Sequence, residues 1–445
     1  MDGNEHAAQF IVGLRWESLP EPVRRQARLC LLDSLGALLA GTLTRVGRIA
    51  AAYAADTWRG DEATVLLAGR RAQAAGAAFA NGCAANALDI DDDAVYTRGH
   101  PGAQLFPAAL AVAEKVDAGG KALLEALVVG YEIAIRTARA WHSHHETYQA
   151  CASWGSVACA AASARLLGLD AGQVQHALGI AEYLAPNAPM MRDIDRPAMV
   201  KHGIGWGAMH GVTSAELAAR GFTGIPSILG FDEYRDWVAD LGSRYSLAEG
   251  GVNRKRWCSC AWGHAAIHAT LKLLRSHGIR VSEIARIRLH TFHEGWRLWQ
   301  QPPTSTEEAQ FSIKWPLATM LLDGQVGPDQ VLEPRLDDPA LNDLIGRIEV
   351  VEDPEINRMY RLRARGVTSP DARIASRAQV TLTDGRSFDS GIVDRESPSW
   401  DDELLEAKFR WLAAYVVPGE TAEHLLRLVR EFESLPSARA LARAL

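Results

Sequence analysis

The chain has 445 residues, 48% of them hydrophobic and 23% charged, which is enough apolar material for about two or three packed domains and excludes a disordered chain. Its formal net charge is -7, from 47 Lys and Arg against 54 Asp and Glu, and no block of basic residues interrupts it. A nucleic-acid partner is thereby excluded, because phosphate binding needs a concentrated basic surface; an anionic substrate must be met by cations gathered locally. Six cysteines, at 30, 83, 151, 159, 258 and 260, are too sparse for a disulfide framework. The N-terminal MDGNEHAAQF lacks the basic-then-apolar pattern of a signal peptide. The most apolar helical run, 123–141, carries Glu125, Glu132 and Arg136 and is no membrane span. The cytoplasm is the expected location, with no membrane partner.

Apolar residues at Val23, Ala27, Leu31, Leu35 and Leu38 recur at three- and four-residue steps, so 21–41 is predicted as an amphipathic helix ending at Gly41. Ala- and Leu-rich runs at 72–87, 104–118, 121–141, 154–167, 171–182 and 205–220 predict further helices, and everything to about residue 275 reads as packed helices. The texture then changes. Residues 285–292 alternate, with Ile287 and Leu289 on one face and Arg286, Arg288 and His290 on the other; Ile348 and Val350 repeat the pattern. Val380 and Leu382 lead through Asp384-Gly385 into 388–393, a hairpin signal. Beyond it, Ser399 and Asp402 resemble a capping box for a helix to Tyr415, and a last helix is expected over 421–432.

Four segments carry candidate chemistry. The first, DIDDDAVYTRGHP over 89–101, concentrates Asp89, Asp91, Asp92, Asp93, Arg98 and His100 between apolar helices. A calcium loop would need Gly at the sixth position and Glu at the twelfth, where Ala94 and His100 stand. A carboxylate beside a near-neutral imidazole suits proton transfer. The second, HSHHETYQACASWG over 142–155, offers histidines including His145, and Tyr148, without the carboxylate or cysteine partner of a metal site. In the third, MVKHGIGWGAMHG over 199–211, the glycines do not follow the spacing of a nucleotide loop and suit close helix packing. Lys201, followed by His202, would hold a substrate carboxylate or stabilise enediolate-like charge. The fourth, KRWCSCAWGHAAIH over 255–268, lacks a zinc spacing and reads as a pocket wall with Cys260 and His264 facing the ligand; a Cys–His nucleophile pair is the alternative.

Together these segments resemble the MmgE/PrpD family. The resemblance is carried by LLDSLGALLAG (31–41), FANGCAANALDIDDD (79–93) with HPGA (100–103), and GYEIAIR (130–136). It continues through SWGSVACAAASARLLGLD (153–170), GWGAMHGVTSAELAARGFTG (205–224), CSCAWGHAAIHA (258–269) and EEAQFSIKWPLATMLLDGQV (307–326). It implies a mainly α fold in which both chain ends, 1–270 and 394–445, build a large all-helical domain and 271–393 form an inserted α+β lid. It also implies a homodimer whose active site lies between the two domains and needs neither metal nor organic cofactor.

The activity implied is that of a lyase, a dehydratase or decarboxylase removing a proton α to a carboxylate of a small di- or tricarboxylate. A two-base epimerase of an iminodisuccinate-like substrate and a non-catalytic carboxylate-binding homologue are the alternatives, with a metal-dependent hydrolase a more distant one. Carried onto this chain, the catalytic residues are Asp89, His100, Tyr148, Lys201 and His264, and the substrate-binding residues Asp93, Arg98, His145, His202 and Cys260. Trp315 stands where many members have a tyrosine, and the tryptophan–lysine–glycine signature of bacterial 2-methylcitrate dehydratases is missing at 199–207.

Overall fold

Long runs of Ala and Leu with few β-branched residues favour helices, and a computed structural model, which describes residues 2–367 and 369–445, is mainly α-helical with small sheets. The predicted 21–41 helix is Glu21–Gly41. The other runs form Ala74–Asn86, Gly102–Val116, Gly120–His144, Cys151–Leu166, Ala171–Tyr183 and Ile204–Ala219. Small residues let the central helices approach closely. A Cβ on Gly205 would lie 2.4 Å from Cys83 Sγ and 2.7 Å from the Phe79 carbonyl, so the expected packing role of these glycines holds here.

The 280–393 region forms a four-stranded sheet in the spatial order Ile348–Glu352, Ile284–Thr291, Ala375–Leu382, Ser387–Asp394, the first pair parallel and the rest antiparallel. Ile287 and Leu289 are buried while Arg286 and Arg288 are exposed, as alternation requires of a sheet with one covered face. The His264–His277 helix packs on its last two strands.

The C-terminal helices are Asp402–Ala413 and Gly419–Arg430. The expected cap at Ser399 is corrected: Asp401 caps the first of them, accepting the Leu404 N–H at 2.8 Å, because only its carboxylate stands one residue before the first helical turn. Apolar side chains divide mainly into two buried clusters. One joins residues from 7 to 252 with Leu405, Phe409, Leu425 and Phe432; the other gathers most of the buried side chains of 257–393. The C-terminal return is fixed by charge as well. Lys408 Nζ, itself buried, donates to Asp33 Oδ1 at 2.6 Å and to the Ile90 carbonyl at 2.8 Å, pinning the acidic segment from behind. Among the described residues no single helix is long and apolar enough to cross a membrane.

Candidate active site

The acidic segment turns sharply after the Ala74–Asn86 helix, and Asp89 adopts a left-handed backbone with φ +52°. The turn sends its aspartates apart. Asp89 faces Lys255, with Nζ 3.1 Å from Oδ2; Asp91 accepts from Asn86 at 3.0 Å; Asp92 accepts from the Tyr131 hydroxyl at 2.7 Å; Asp93 pairs with Arg395 at 2.7 Å. Each carboxylate has its own partner, so the segment is not a calcium cage.

His100 comes back against this cluster. Its Nδ1 lies 2.8 Å from the Asp92 carbonyl and 3.0 Å from Asp91 Oδ2, and since both are acceptors Nδ1 carries the proton. Nε2 is left with Asp89 Oδ1 at 3.5 Å. Burial opposes charging of this imidazole, but Asp91 and Asp89 outweigh it and hold its pKa above the ordinary histidine value. Burial likewise opposes the charge on Asp89, and Lys255, Lys201 and His100 reverse the effect, so it stays a carboxylate. No hydrogen bond reaches either Asp89 oxygen; ion pairing alone holds the group.

Lys201 and His202 arrive on a strained link before the Ile204–Ala219 helix. Lys201, His202 and Gly203 have φ of +27°, +57° and +71°. Of the six non-glycine residues with left-handed backbone among the described residues, four (Asp89, Arg98, Lys201, His202) belong to this site. Each costs about 1–3 kcal/mol, which surrounding structure must hold in place. The buried Lys201 Nζ donates to Gln310 Oε1, and Gln310 is oriented by its own bonds to the Ala87 carbonyl at 3.0 Å and Thr306 at 2.7 Å. The His202 ring sits 4.8 Å from that of His100, with Nδ1 3.0 Å from Met190 Sδ and Nε2 unpartnered. Burial and the neighbouring His100 keep it neutral.

A narrow cavity of about 70 Å³ opens in front of His100 and His202, with Asp93, Arg98, Tyr148 and Cys260 in its wall. Tyr360, Arg363 and Arg395 from the sheet-bearing region complete it. Arg395 is committed to Asp93, whereas Arg98 and Arg363 form no ion pair among the described residues. The Arg98 guanidinium lies 4.0 Å over the Tyr148 ring. The Tyr148 hydroxyl donates to the Arg98 carbonyl, and burial pushes its pKa well above the usual phenol value, which suits a donor and not a base. On the other side of His202 and Met190 lies a broad depression of about 1230 Å³ carrying Arg192, Arg196 and Arg297.

Six of the ten sequence-predicted residues, Asp93, Arg98, His100, Tyr148, His202 and Cys260, therefore line one cavity. Asp89 and Lys201 are not in its wall: Asp89 lies against His100 at 3.5 Å and Lys201 bonds Gln310. The other two lie elsewhere. His145 ends the Gly120–His144 helix as its C-cap, its ring tilted against Trp141 at 4.5 Å, and it is not in the cavity wall. His264 lines a different, basic cavity with Arg254 and Arg256, its Nε2 3.2 Å from Ser259 Oγ; it opens the His264–His277 helix, whereas Cys260 lies before that helix in the wall of the first cavity. The Cys–His alternative fails with it, because burial also pushes the Cys260 thiol up to about 12. Trp315 is fully buried and donates to the Gln330 carbonyl at 2.8 Å, a core residue. Sequence reasoning missed Lys255 as the partner of Asp89, and Tyr360, Arg363 and Arg395 as cavity wall. Lys255 had a usable signal, since it opens the quoted Cys-rich segment; the other three belong to no local motif.

Donor atoms of Asp89, His100 and His202 lie within 4.8 Å of one another, close enough for a metal. The Lys255 ammonium already neutralises Asp89 at 3.1 Å and would repel an entering cation, so the donor set suits proton transfer better than metal binding.

Fold and site define a family. The MmgE/PrpD N-terminal domain matches residues 5–234 and the MmgE/PrpD C-terminal domain residues 257–434, and the chain belongs to the MmgE/PrpD family. It is 27% identical over 468 residues to cis-aconitate decarboxylase of Homo sapiens, covering 98% of this chain and 93% of that one. It is also 27% identical over 484 residues to the cis-aconitate decarboxylase-like protein oryM of Aspergillus oryzae (97% and 95% covered). Identity to cis-aconitate decarboxylase of Aspergillus terreus is 22% over 464 residues (95% and 91% covered).

Proposed function

We propose that the protein is a cofactor- and metal-independent lyase acting on a small tricarboxylate of the cis-aconitate type. The observation that carries this reading is the pairing, in one cavity, of two arginines lacking acidic partners, Arg98 and Arg363, with the proton-carrying His100. Half-buried guanidinium groups without acidic partners call for carboxylates, which they bind in a fork geometry. His100, with Nδ1 fixed as donor and Nε2 held only loosely, 3.5 Å from Asp89 Oδ1, is built to pass one proton. In decarboxylation the bond to the leaving carboxylate breaks, carbon dioxide departs, and the electron pair left on carbon takes a proton from His100. In dehydration the neutral His100 removes the α-proton, the electron pair forms the alkene, and the departing hydroxyl takes that proton back from the His100 imidazolium and leaves as water. Asp89 with Lys255 and Lys201 sets the charge at this end, and the cations stabilise the enediolate-like intermediate. Tyr148, Asp93, His202 and Cys260 shape the wall.

Two-base epimerisation needs proton carriers on opposite faces of one carbon, roughly 3 Å from it on each side. The His100 and His202 rings, 4.8 Å apart, are too close to enclose one. Residues 271–393 serve as the lid: they contribute Tyr360 and Arg363, and so narrow a cavity must open for substrate to enter. The working form is a cytoplasmic homodimer, supported by an apolar surface where Ile49, Tyr53, Val200 and Trp206 stand exposed. Proton NMR of chelator-treated protein in deuterated water, with cis-aconitate, 2-methylcitrate and iminodisuccinate supplied separately, tests the reading. Carbon dioxide and a deuterated alkene from cis-aconitate support it; epimerisation alone, or binding without any exchange, rejects it.

A further inference from the structure

Arg395 belongs to two cavities. One is the catalytic cavity; the other, of about 230 Å³, is lined by Arg254, Arg256, Trp257, His264, His268 and Arg395 and takes no part in the reaction proposed above. Its charge is unbalanced. Three guanidinium groups (Arg254, Arg256, Arg395) line it with one carboxylate, Glu396, 3.8 Å from His268 Nδ1; Asp93 holds Arg395 at 2.7 Å, and Arg254 and Arg256 form no ion pair among the described residues. Arg254 is only 4% exposed; its Nη2 is spent on Gln26 at 2.9 Å and Cys30 at 3.3 Å, while its Nε is buried without any hydrogen-bond partner. A buried, unpaired guanidinium N–H is expensive unless an acceptor reaches it. Arg256, at the mouth, is exposed and forms no ion pair among the described residues. The Trp257 ring lies 5.0 Å from both His264 and His268 and holds the two imidazoles side by side, one turn apart on the His264–His277 helix.

We propose that this cavity binds a compact oxyanion, a small carboxylate or a phosphate, through Arg254, Arg256 and Arg395, with His264 and His268 as neutral hydrogen-bonding groups. The size suits a few non-hydrogen atoms with two or more negative oxygens, which satisfies the surplus charge and the orphaned Nε together. Because Arg395 also anchors Asp93, an anion here competes with Asp93 for the guanidinium and reshapes the wall of the catalytic cavity. The pocket thus works as an effector site, not as a second reaction centre.

Isothermal titration calorimetry with inorganic phosphate, and separately with citrate, on the full chain, Arg256→Ala and His100→Ala tests this. Circular dichroism checks that each variant is folded; Arg256, being exposed, carries little of the fold. The expected result is one phosphate per chain, and for citrate one site besides the catalytic cavity, whose dissociation constant rises about tenfold or more in Arg256→Ala and stays within about twofold in His100→Ala. Tighter phosphate binding assigns the pocket to phosphates and tighter citrate binding to carboxylates. Unchanged binding in Arg256→Ala, loss of binding in His100→Ala, or no binding of either anion at millimolar concentration overturns the proposal.

Discussion

The Asp89–Lys255 pair gives the sharpest test of how the site is held. At 3.1 Å and an effective dielectric constant of about 20, the attraction is about 5 kcal/mol, against several kcal/mol of desolvation for two buried ions. The net worth of the pair is therefore small, but removing one partner is not. Lys255→Met keeps the aliphatic bulk and leaves Asp89 buried with only Lys201 and His100 to offset its charge, which should cost about 3–5 kcal/mol at neutral pH. The pH dependence has a defined sign. In the native protein the Asp89 pKa is depressed, so its stabilising contribution is present above the ordinary aspartate pKa and is lost as pH falls through the folded value. With Lys255 gone, burial is opposed only by the weaker pull of Lys201 and the neighbouring histidines and the Asp89 pKa rises, so the variant should regain ground on the wild type as the buffer is taken from pH about 7.5 to about 5. Urea midpoints at both values measure this, and adding Asp89→Asn to Lys255→Met should recover about half of the loss. A penalty under about 1 kcal/mol, equal at both pH values and unrelieved in the double variant, would show that the pair does not hold Asp89.

Four further outcomes are expected. His100→Gln should lower kcat by about 10²–10⁴-fold with cis-aconitate while leaving its binding, measured calorimetrically, within a few-fold. For an elimination in which neutral His100 is the base, kcat/KM in the native enzyme should rise with pH through a pKa above the ordinary histidine value; a protonation-limited decarboxylation should fall through the same pKa. Arg98→Gln and Arg363→Gln should each raise KM about 10- to 100-fold with a smaller effect on kcat, since each removes a charge-assisted contact to a carboxylate; equal KM values would refute the assignment. Lys408→Met, far from the cavity opening, should destabilise the chain by about 3–5 kcal/mol in urea unfolding by stranding the buried Asp33.

The helical half of the fold was legible because its signal is local. The 21–41 run repeats apolar residues at helical spacing, and the observed helix has the same limits. The strand pair around Asp384-Gly385 was legible for the same reason, with two alternating runs flanking a turn dipeptide. The cap at Ser399 was misread by two residues, since a serine and an aspartate are equally good caps and only the backbone decides which one is used. The site was legible in part. Asp89 and His100 share one dense segment and meet as expected, whereas Arg363 and Arg395 lie far along the chain among many other surface-like arginines. His264 failed for a geometric reason: four residues after Cys260 the chain has entered a new helix, and its side chain faces Trp257 and the basic cavity instead.

The same distinction explains why the acidic segment escapes the plain reading of its composition. Four aspartates within five residues suggest a solvated loop, yet Asp89, Asp91 and Asp92 are almost wholly buried. Burial is tolerable because Asp89 and Asp93 meet cations delivered from elsewhere, Lys255 and Arg395, and Asn86 donates to Asp91, while Asp92 takes a hydrogen bond from Tyr131 and burial pushes its pKa up to about 7. An incomplete fold would leave these carboxylates unpaired in a low-dielectric interior at several kcal/mol each, so the reactive geometry exists only once both hydrophobic clusters are assembled. The order of cause then runs from packing to charge to chemistry. Lys408 fixes the segment from behind, the buried carboxylates set the proton affinity of His100, and the arginines with no acid of their own are left in the cavity wall, where the proposed function has a substrate carboxylate pair with them.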